Sequence, residues 1–511
     1  MKNTKYFLLF TVLFFVCFFV RVLVVMNGNF PFWFDSARDA TLSREIFEKH
    51  HLKIQGPNAS GTHDTVYHGV LYYYVIAPLY TASNGNPQIV VYFLGFLTSF
   101  AVIPVYLLAL GLSNSSRVAL LSALLYIFSY DAIRAGTWLS NPSLTALTLP
   151  VILYFLWLIF FQKQKKYLPW LALTLGISTQ SVIFFVVLWG EVLLGWWYSS
   201  KKKKTSVSIS RKEWLIALGI YIASILTMIL AEFKIWHAGL LTPETFADFS
   251  FIHVLPIDAI LGTVTLYLRK IVEAIFPIFP VGAFLLFLFS VFTFFTERPK
   301  EQKIFFLIAF SGPLWLLSWH YRDMFHAFIG LESLLCITLA LFFQSLTKMK
   351  RGVYFAGALC MIYFISQGKN WQRDRLGRLT PYFLPQGAYL NDELHLIDKT
   401  YELSEGKPFS ISTLTNPYGY SMTWAYLYDW HGKKKYGRVP DWFGPDQTGL
   451  FGSDLLPRKI TADTVHFAIY EPAEGIPNYM KDTFTLEQQG KVGTPSAKMM
   501  FGSLELSLFH R

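Results

Sequence analysis

Residues 201–212 read KKKKTSVSISRK and place six basic residues between two strongly hydrophobic segments. Basic residues in a short loop beside a hydrophobic segment indicate the cytoplasmic side of a membrane protein. Lys2 and Lys5 have the same character, and so do three further loops. These loops are Lys163/Lys165/Lys166, Arg298/Lys300/Lys303 and Lys348/Lys350/Arg351. Placing all of them on one side fixes how many hydrophobic segments cross the bilayer.

The composition independently indicates a polytopic membrane protein. The chain has 511 residues, of which 53% are hydrophobic and only 15% charged, and 48 are phenylalanines. A soluble domain of this length does not need so much apolar volume. The net charge of +11 lies in loops at hydrophobic borders, so it orients helices and does not indicate nucleic-acid binding. Cys17, Cys336 and Cys360 all lie in apolar segments, which argues against a disulfide framework or a thiolate zinc site.

About 20 apolar residues are needed to cross the hydrocarbon core. Three segments, 69–83, 167–198 and 352–367, are ambiguous in length. The basic loops share one side only if 69–83 does not cross and 167–198 crosses twice, turning near 176–180. The eight clear candidates are 6–26, 88–111, 117–134, 143–161, 213–231, 271–295, 304–319 and 325–346. The sequence therefore predicts about 11 transmembrane helices, a cytoplasmic N-terminus, and a first segment retained as an anchor.

Two segments are predicted on the outer face. The first outer loop, 27–87, follows the first helix and contains 69–83 as an interfacial helix, because its tyrosines suit the aromatic belt. From residue 368 onward hydropathy falls, which divides the chain into a membrane domain, 1–367, and a small extracytoplasmic α/β domain, 368–511. That second domain is predicted to hold a helix near 391–403 and strands at 409–413, 466–470 and 504–510.

The first outer loop contains the strongest candidate for a catalytic site. Residues 32–40 read FWFDSARDA, and in a helix this spacing places Asp35, Arg38 and Asp39 on one face. A carboxylate and a guanidinium beside an aromatic triplet suit the polar end of a lipid. The alternative is structural, with Asp35 or Ser36 capping the helix N-terminus and the other two residues solvated.

Further polar residues are predicted on the same side. His63, Asp64 and His68 lie within six residues and could hold a divalent metal or a phosphate, but the spacing is weak evidence and favours polar decoration of a loop. Arg134, Arg269 and Arg322 lie near outer helix ends, where charged side chains tend to face a cavity. The sequence shows no certain cofactor site and no glycine-rich nucleotide-binding loop.

This arrangement resembles the GT-C superfamily of integral membrane glycosyltransferases, which includes protein O-mannosyltransferases, lipid A aminoarabinose transferases and bacterial dolichyl-phosphate-mannose-type transferases. The Asp-Glu-x-Arg-Tyr pattern of the aminoarabinose transferases is matched by Asp35 and Arg38, with Ser36 in place of the glutamate. The His-Pro-Pro-Leu motif of the mannosyltransferases is similar to residues 68–71, HGVL, which lack both prolines. The resemblance covers essentially the whole chain in architecture.

The resemblance implies transfer of a sugar from a polyprenyl-phosphate donor to an acceptor hydroxyl on a protein, lipid or glycan. Phosphate is a good leaving group, so one carboxylate acting as base suffices, and inversion at the anomeric carbon is expected. Asp35 is the candidate base, Arg38 the phosphate clamp and Asp39 the residue that orients Arg38. His68, Arg134, Arg269 and Arg322 are further phosphate-binding candidates. The expected location is the cell (plasma or inner) membrane, with the site outside.

Two other functions remain open from the sequence. A transporter or flippase for a lipid-linked sugar would place ionisable groups near the bilayer midplane and show repeated halves. The chain has no evident repeat. A catalytically inactive scaffold or sensor would keep the fold and bind partners through the outer domain, and the replacement of the motif glutamate by Ser36 is compatible with it. The sugar, the acceptor class and any metal requirement are not indicated.

Overall fold

The computed structural model describes residues 2–59, 66–201, 208–237, 257–275, 284, 286–291, 298–320, 328–375, 388–458, 465–472 and 477–509. It is mostly helical, at 71%, with one small sheet near the C-terminus. This agrees with the predicted class, a polytopic helical protein with a small C-terminal α/β region.

The helices up to residue 375 form the membrane part of the molecule together with the first outer loop. In chain order they are α1 (Lys2–Val25), α2 (Phe34–Glu48), α3 (Leu71–Ala82), α4 (Pro87–Ser99), α5 (Val102–Ser113), α6 (Ser116–Ile127), α7 (Tyr130–Gly136), α8 (Thr145–Leu156), α9 (Leu168–Ser181), α10 (Trp189–Ser200), α11 (Arg211–Ser224), α12 (Leu226–His237), α13 (Ile257–Ile275), α14 (Lys300–His320), α15 (Leu331–Thr347) and α16 (Gly352–Arg375).

Four helices in the described part are long and apolar enough to cross a membrane. They are Thr4–Gly28, Pro87–Ser113, Asn141–Phe161 and Ile183–Ser200. Two bent pairs, α6 with α7 at 62° and the helix pair from Arg211 to Lys234 at 58°, bring the number to six if each pair is one span. The predicted total of eleven stays a prediction.

The segment 167–198 is two helical pieces, as the charge pattern predicted. Helix α9 ends at Ser181, Val182 is extended, and a 3-10 turn at Ile183–Leu188 leads into α10. The break comes just after the predicted turn at 176–180. It contacts the first outer loop, since the backbone N–H of Gly69 donates to the carbonyl of Gln180 at 2.8 Å.

Two other segments with sequence-based predictions are 69–83 and 271–295. The ambiguous stretch 69–83 forms the short helix α3, which has Pro78 inside it and packs against α2, so it is helical as predicted. The segment 271–295 was predicted as a span and stays a prediction, since its described residues, 271–275, 284 and 286–291, are all helical. Residues 271–275 form the end of α13, which starts earlier, at Ile257. Its Leu261 is exposed whereas Ile271 is buried. An apolar periodicity that begins well before 271 explains the earlier start.

The C-terminal region contains the predicted helix and all three predicted strands, together with elements that the sequence did not indicate. The helices are α17 (Leu390–Leu403), α18 (Met422–Leu427), α19 (Lys433–Tyr436) and α20 (Asn478–Val492). The strands are β1 (Phe409–Leu414), β2 (Asp441–Trp442), β3 (Val465–Tyr470), β4 (Ala497–Phe501) and β5 (Leu504–Phe509), in the order β2-β1-β3-β5-β4.

The sheet is mixed. β1 pairs in parallel with β2 and β3, whereas β5 runs antiparallel to β3 and β4. The apolar runs of β1 and β3 fit strands that are covered on both faces, and both are almost fully buried. The predicted domain boundary at residue 368 falls inside α16, which continues to Arg375.

The C-terminal region, from residue 388 onward, shares one hydrophobic core with the first outer loop. Phe32 and Ala37 of the loop belong to the same cluster of buried residues as Trp424 and Leu427 of the C-terminal region. Backbone bonds join them as well: Phe32 N donates to the carbonyl of Ala388 at 3.2 Å. The C-terminal region is therefore packed against the loop that holds the candidate site.

Several loops that were predicted on the same side of the membrane contact each other, while the sides themselves stay a prediction. The break after α9 and the C-terminal region, both predicted outside, contact the first outer loop. Two basic loops predicted inside contact each other, because Lys165 forms an ion pair with Glu213 at 2.9 Å. Glu213 also completes a capping box with Ser210 at the start of α11.

Candidate functional site

Helix α2 begins at the point where the first outer loop contacts the segment that follows α7. Trp33 precedes the helix in an extended conformation, and its ring packs edge-on against Trp138 with centroids 6.2 Å apart. The hydroxyl of Ser36 donates to the carbonyl of Leu139 at 3.0 Å. Neither Asp35 nor Ser36 caps the helix, since the N-cap position is Trp33 and no side-chain cap bond forms there. The capping alternative is therefore wrong.

Asp35, Arg38 and Asp39 meet as the spacing predicts. Arg38 Nη1 donates to Asp35 Oδ1 at 2.7 Å, and Nε and Nη2 both donate to Asp39 Oδ1, at 2.9 and 2.7 Å. The side chain of Asp35 is 42% exposed, against 12% for Arg38 and 1% for Asp39. One carboxylate thus faces solvent while the cation and the second carboxylate lie behind it.

The charges of this triad add to −1 when all three groups are ionised. Burial raises the pKa of Asp39 to about 7, although Arg38 opposes the shift. The two carboxylates raise the pKa of Arg38 above its ordinary value, against the effect of burial, so the guanidinium stays charged. The buried carboxyl of Asp39 is therefore a place where the triad can take up a proton near neutral pH.

Tyr72 and Tyr73 of α3 form the wall behind the triad. Both are 1% exposed, and the negative charge on Asp39 contributes, after burial, to raising the pKa of each phenol. The hydroxyl of Tyr73 in turn lowers the pKa of Asp39. Sequence reasoning assigned these tyrosines to the aromatic belt. Their position on the face of α3 that meets α2 indicates instead that they line the triad.

His68 lies in the segment that reaches the break after α9. Its side chain is 8% exposed, and Nδ1 accepts the backbone N–H of Ile183 at 3.1 Å. This hydrogen bond assigns the proton of the neutral ring to Nε2. The next residue, Gly69, approaches Gln180 so closely that a Cβ at position 69 would lie 2.9 Å from the Cα of Gln180. A glycine is therefore required at this contact.

Arg134 joins the membrane part to the outer region. Its Nη2 donates to Asp374 at the end of α16 and, at 2.6 Å, to the hydroxyl of Tyr389. The guanidinium also lies 5.4 Å from the ring centroid of Trp371. All of these side chains are in the interior or close to it, and Arg134 is 1% exposed. The arrangement ties the two parts together, and the sequence did not indicate Asp374 or Tyr389.

The remaining candidates from the sequence are two arginines and the possible metal ligands. Arg269 is an exposed residue of α13. His63, Asp64 and Arg322 lie outside the described residues. Within the described ranges no group of three or more His, Cys, Asp or Glu side chains could hold a metal ion. A metal site that involves His63 and Asp64 stays a prediction.

Three charged residues inside spans were not considered in the sequence analysis. Arg21 donates to Cys17 Sγ at 2.6 Å and to Ser99 Oγ at 3.0 Å. Glu332 accepts the N–H of Gly330 at 2.8 Å, and Glu191 accepts the N–H of Gly312. Each is at most 4% exposed. Their bonds fasten neighbouring segments, which gives them a structural role within the bundle.

The sequence matches no protein-family model and no curated protein. The structure, by contrast, matches that of ArnT from Cupriavidus metallidurans in the apo state with a TM-score of 0.50. The match covers 99% of this chain and 98% of that chain, at 11% sequence identity. ArnT is a GT-C lipid A aminoarabinose transferase. The chain therefore has the GT-C fold that the resemblance implied, over its full length.

Proposed function

We propose that this chain is a membrane glycosyltransferase that moves a sugar from a polyprenyl-phosphate donor to an acceptor hydroxyl at the outer membrane surface. One observation carries the proposal: on a GT-C fold, a solvent-facing Asp35 is held at a helix start by a nearly buried Arg38. The lipid tail of such a donor stays in the bilayer, so the reacting phosphate is at the surface where the first outer loop lies.

Asp35 is the proposed base. The acceptor oxygen attacks the anomeric carbon and forms the new C–O bond, while the bond from that carbon to the phosphate oxygen breaks. The hydroxyl proton goes to the carboxylate of Asp35, and the phosphate leaves with the bonding electron pair. One displacement inverts the configuration at the anomeric carbon, and no acid is needed for a leaving phosphate. The exposure of Asp35 allows an acceptor to reach it.

Arg38 is the proposed phosphate clamp. A guanidinium has five N–H donors, and the two carboxylates use three of them, from Nε, Nη1 and Nη2. Nη1 and Nη2 each have a second hydrogen, and these are the proposed donors to the phosphate oxygens. Asp39 holds the Nε–Nη2 edge and so orients Arg38. The clamp would stabilise the charge that develops on the departing phosphate.

His68 is the proposed second donor to phosphate, because the hydrogen bond to Nδ1 leaves the ring proton on Nε2. Arg134 is a weaker candidate in this geometry, since Asp374 and Tyr389 already engage it in the interior. Arg269 and Arg322 stay second-rank candidates for the donor phosphate. The proposed location is the cell membrane, with this site on the extracytoplasmic face.

The test is a transfer assay on the purified full chain in lipid nanodiscs. A panel of polyprenyl-phosphate sugars is supplied with a membrane extract as the source of acceptors, and release of polyprenyl phosphate is measured. We expect release with at least one donor and an inverted glycosidic bond in the product. A retained configuration would contradict the single-base displacement. Movement of an intact donor across a vesicle bilayer would favour the flippase, and no reaction or movement across the panel would favour the scaffold.

A further inference from the structure

A basic groove lies between the first outer loop and the C-terminal region, apart from the candidate catalytic triad. Its volume is about 360 Å³. Arg44 of α2 lies nine residues after Asp35, which is about 13 Å along the helix and half a turn around it, so the two side chains leave on opposite faces. The lining residues are Arg44, Asn84, Asp429, Trp430, Lys433 and Lys434.

The groove has an excess of positive charge. Three cations line it, and two carboxylates oppose them, Asp429 in the lining and Glu48 beside Arg44, which leaves a net charge of +1. Asp429 lies 3.8 Å from Arg44 Nη1 and 3.4 Å from Lys433 Nζ, so a single acidic group is divided between two bases. The lining therefore suits an anion with several oxygen atoms, which an arginine and a lysine can bind together.

The floor of the groove is held in place by an ion pair and by close packing. Arg44 is anchored through Nε to Glu48 at 2.8 Å. A Cβ on Gly85 would lie 3.4 Å from Arg44 Nη1 and 3.0 Å from Trp430 Cδ1, so the turn before α4 packs closely against both. The hydroxyl of Tyr426 donates to the carbonyl of Gly85 at 2.6 Å. In the described residues, the buried indole Nε1 of Trp430 has no hydrogen-bond acceptor.

The groove lies next to the start of an apolar helix that is long enough to cross a membrane. This helix, Pro87–Ser113, has 27 residues, and about 40 Å of helix exceeds a hydrocarbon core of about 30 Å. Asn84 precedes it by three residues, so we expect the groove near the headgroup layer. Phe47, three residues after Arg44 on the same face of α2, is 49% exposed. An exposed phenylalanine beside a basic groove is typical of a surface that enters the membrane interface.

We propose that this groove binds the phosphate headgroup of an anionic phospholipid of the outer leaflet. Arg44 and the two lysines would bind the phosphate oxygens, the Trp430 indole would donate a hydrogen bond, and Phe47 would enter the acyl-chain boundary. Attraction of basic side chains to anionic lipid adds to this binding. The inference is independent of the transfer chemistry, because it uses none of the residues of the catalytic triad.

The test measures binding of short-chain phosphatidylglycerol or phosphatidylcholine to the delipidated full chain in detergent. The groove variant Lys433→Gln/Lys434→Gln alters exposed side chains and should fold. The control variant Lys481→Gln/Lys491→Gln removes the same charge from α20 of the same region. We expect the groove variant to lose about tenfold in affinity for phosphatidylglycerol, and the control variant to bind as the unmodified chain does.

Three outcomes would overturn the proposal. The first is an equal loss in both variants, which would show a general effect of net charge. The second is an unchanged affinity for phosphatidylglycerol in the groove variant and also in a Phe47→Ser variant. The third is full competition by inorganic phosphate at the concentration of the lipid phosphate, which would show a site for free anions and not for a headgroup.

Discussion

Arg38 donates two hydrogen bonds to a single oxygen of Asp39, from Nε at 2.9 Å and from Nη2 at 2.7 Å. The pair is nearly enclosed, with Asp39 1% and Arg38 12% exposed. This contact fixes the guanidinium, and the guanidinium in turn holds Asp35 at the surface. The proposed base thus depends on an ion pair buried one helical turn behind it.

Removing the cation should destabilise the protein more than removing both charges. Arg38→Gln leaves the buried Asp39 without its partner, and breaking such a pair costs about 3–5 kcal/mol. The double variant Arg38→Gln/Asp39→Asn should recover much of that loss. Thermal unfolding in detergent checks the order of midpoints. Equal midpoints for the single and double variants would show that the pair is not coupled as described.

Gly69→Ala should reduce transfer activity by roughly 10- to 100-fold, since displacements of about 1 Å at a site have effects of this size. A Cβ at position 69 would lie 2.9 Å from the Cα of Gln180, which is backbone and cannot swing away. The loop that holds His68 must then move. Gly219→Ala in α11 is the matched control, because no atom lies within 4 Å of its added Cβ. Unchanged activity in Gly69→Ala would contradict the placement of His68 in the site.

Glu393→Gln should stabilise the protein, and more so at pH 8 than at pH 5. Glu393 is 0% exposed, both its carboxylate oxygens have no partner among the described residues, and burial raises its pKa well above the ordinary value. When folding raises the pKa of an acid, the folded state becomes less stable as the pH rises from the pKa of that acid in the unfolded chain towards its pKa in the folded chain.

The gain should grow by about 1.4 kcal/mol for each pH unit over which Glu393 keeps its proton in the folded chain but loses it in the unfolded chain. Glu402→Gln, at the exposed end of the same helix, is the control, and should change little at either pH. Thermal midpoints at both pH values provide the measurement. A gain that is the same at pH 5 and pH 8 would show that ionisation of Glu393 is not the cause.

The predicted sides of the membrane can be tested by labelling. Lys49 in the first outer loop and Lys166 in a basic loop are both exposed. A membrane-impermeant maleimide should label Lys49→Cys on intact cells, and should label Lys166→Cys only after the membrane is opened. The background carries Cys360→Ser, because Cys17 and Cys336 are already buried. Labelling of Lys166→Cys on intact cells would contradict the predicted topology.

Much of the fold could be predicted because its signals are local in the sequence. The apolar lengths and the basic loops indicated two helical pieces in 167–198 and a short helix at 69–83, and the structure has both. The alternating and apolar runs gave β1, β3 and β5. The start of α13 at Ile257 was missed because the prediction followed total hydropathy, whereas that helix has one exposed and one buried face. Strand β4 was missed because it is an edge strand with no buried residue, so no core-facing run marks it.

The site was only partly predictable, for a physical reason. Asp35, Arg38 and Asp39 are close in sequence, so helical spacing brings them together. Tyr389 and Asp374 reach Arg134 from more than 200 positions away, and only the packing of the outer region on the loop creates that contact. Gln180 meets Gly69 in the same way. The sequence offered no pattern for pairings of this kind.

The most direct test of the proposed mechanism is the transfer rate of Asp35→Asn. Removing a general base lowers rates by about 100-fold or more, so Asp35→Asn should lose transfer by at least that factor while Asp35→Glu retains part of it. Because Asp35 faces solvent, its thermal midpoint should stay close to that of the unmodified chain, as should that of the control Asp482→Asn on exposed surface of α20. Folded Asp35→Asn that transfers sugar at the unmodified rate would contradict the account.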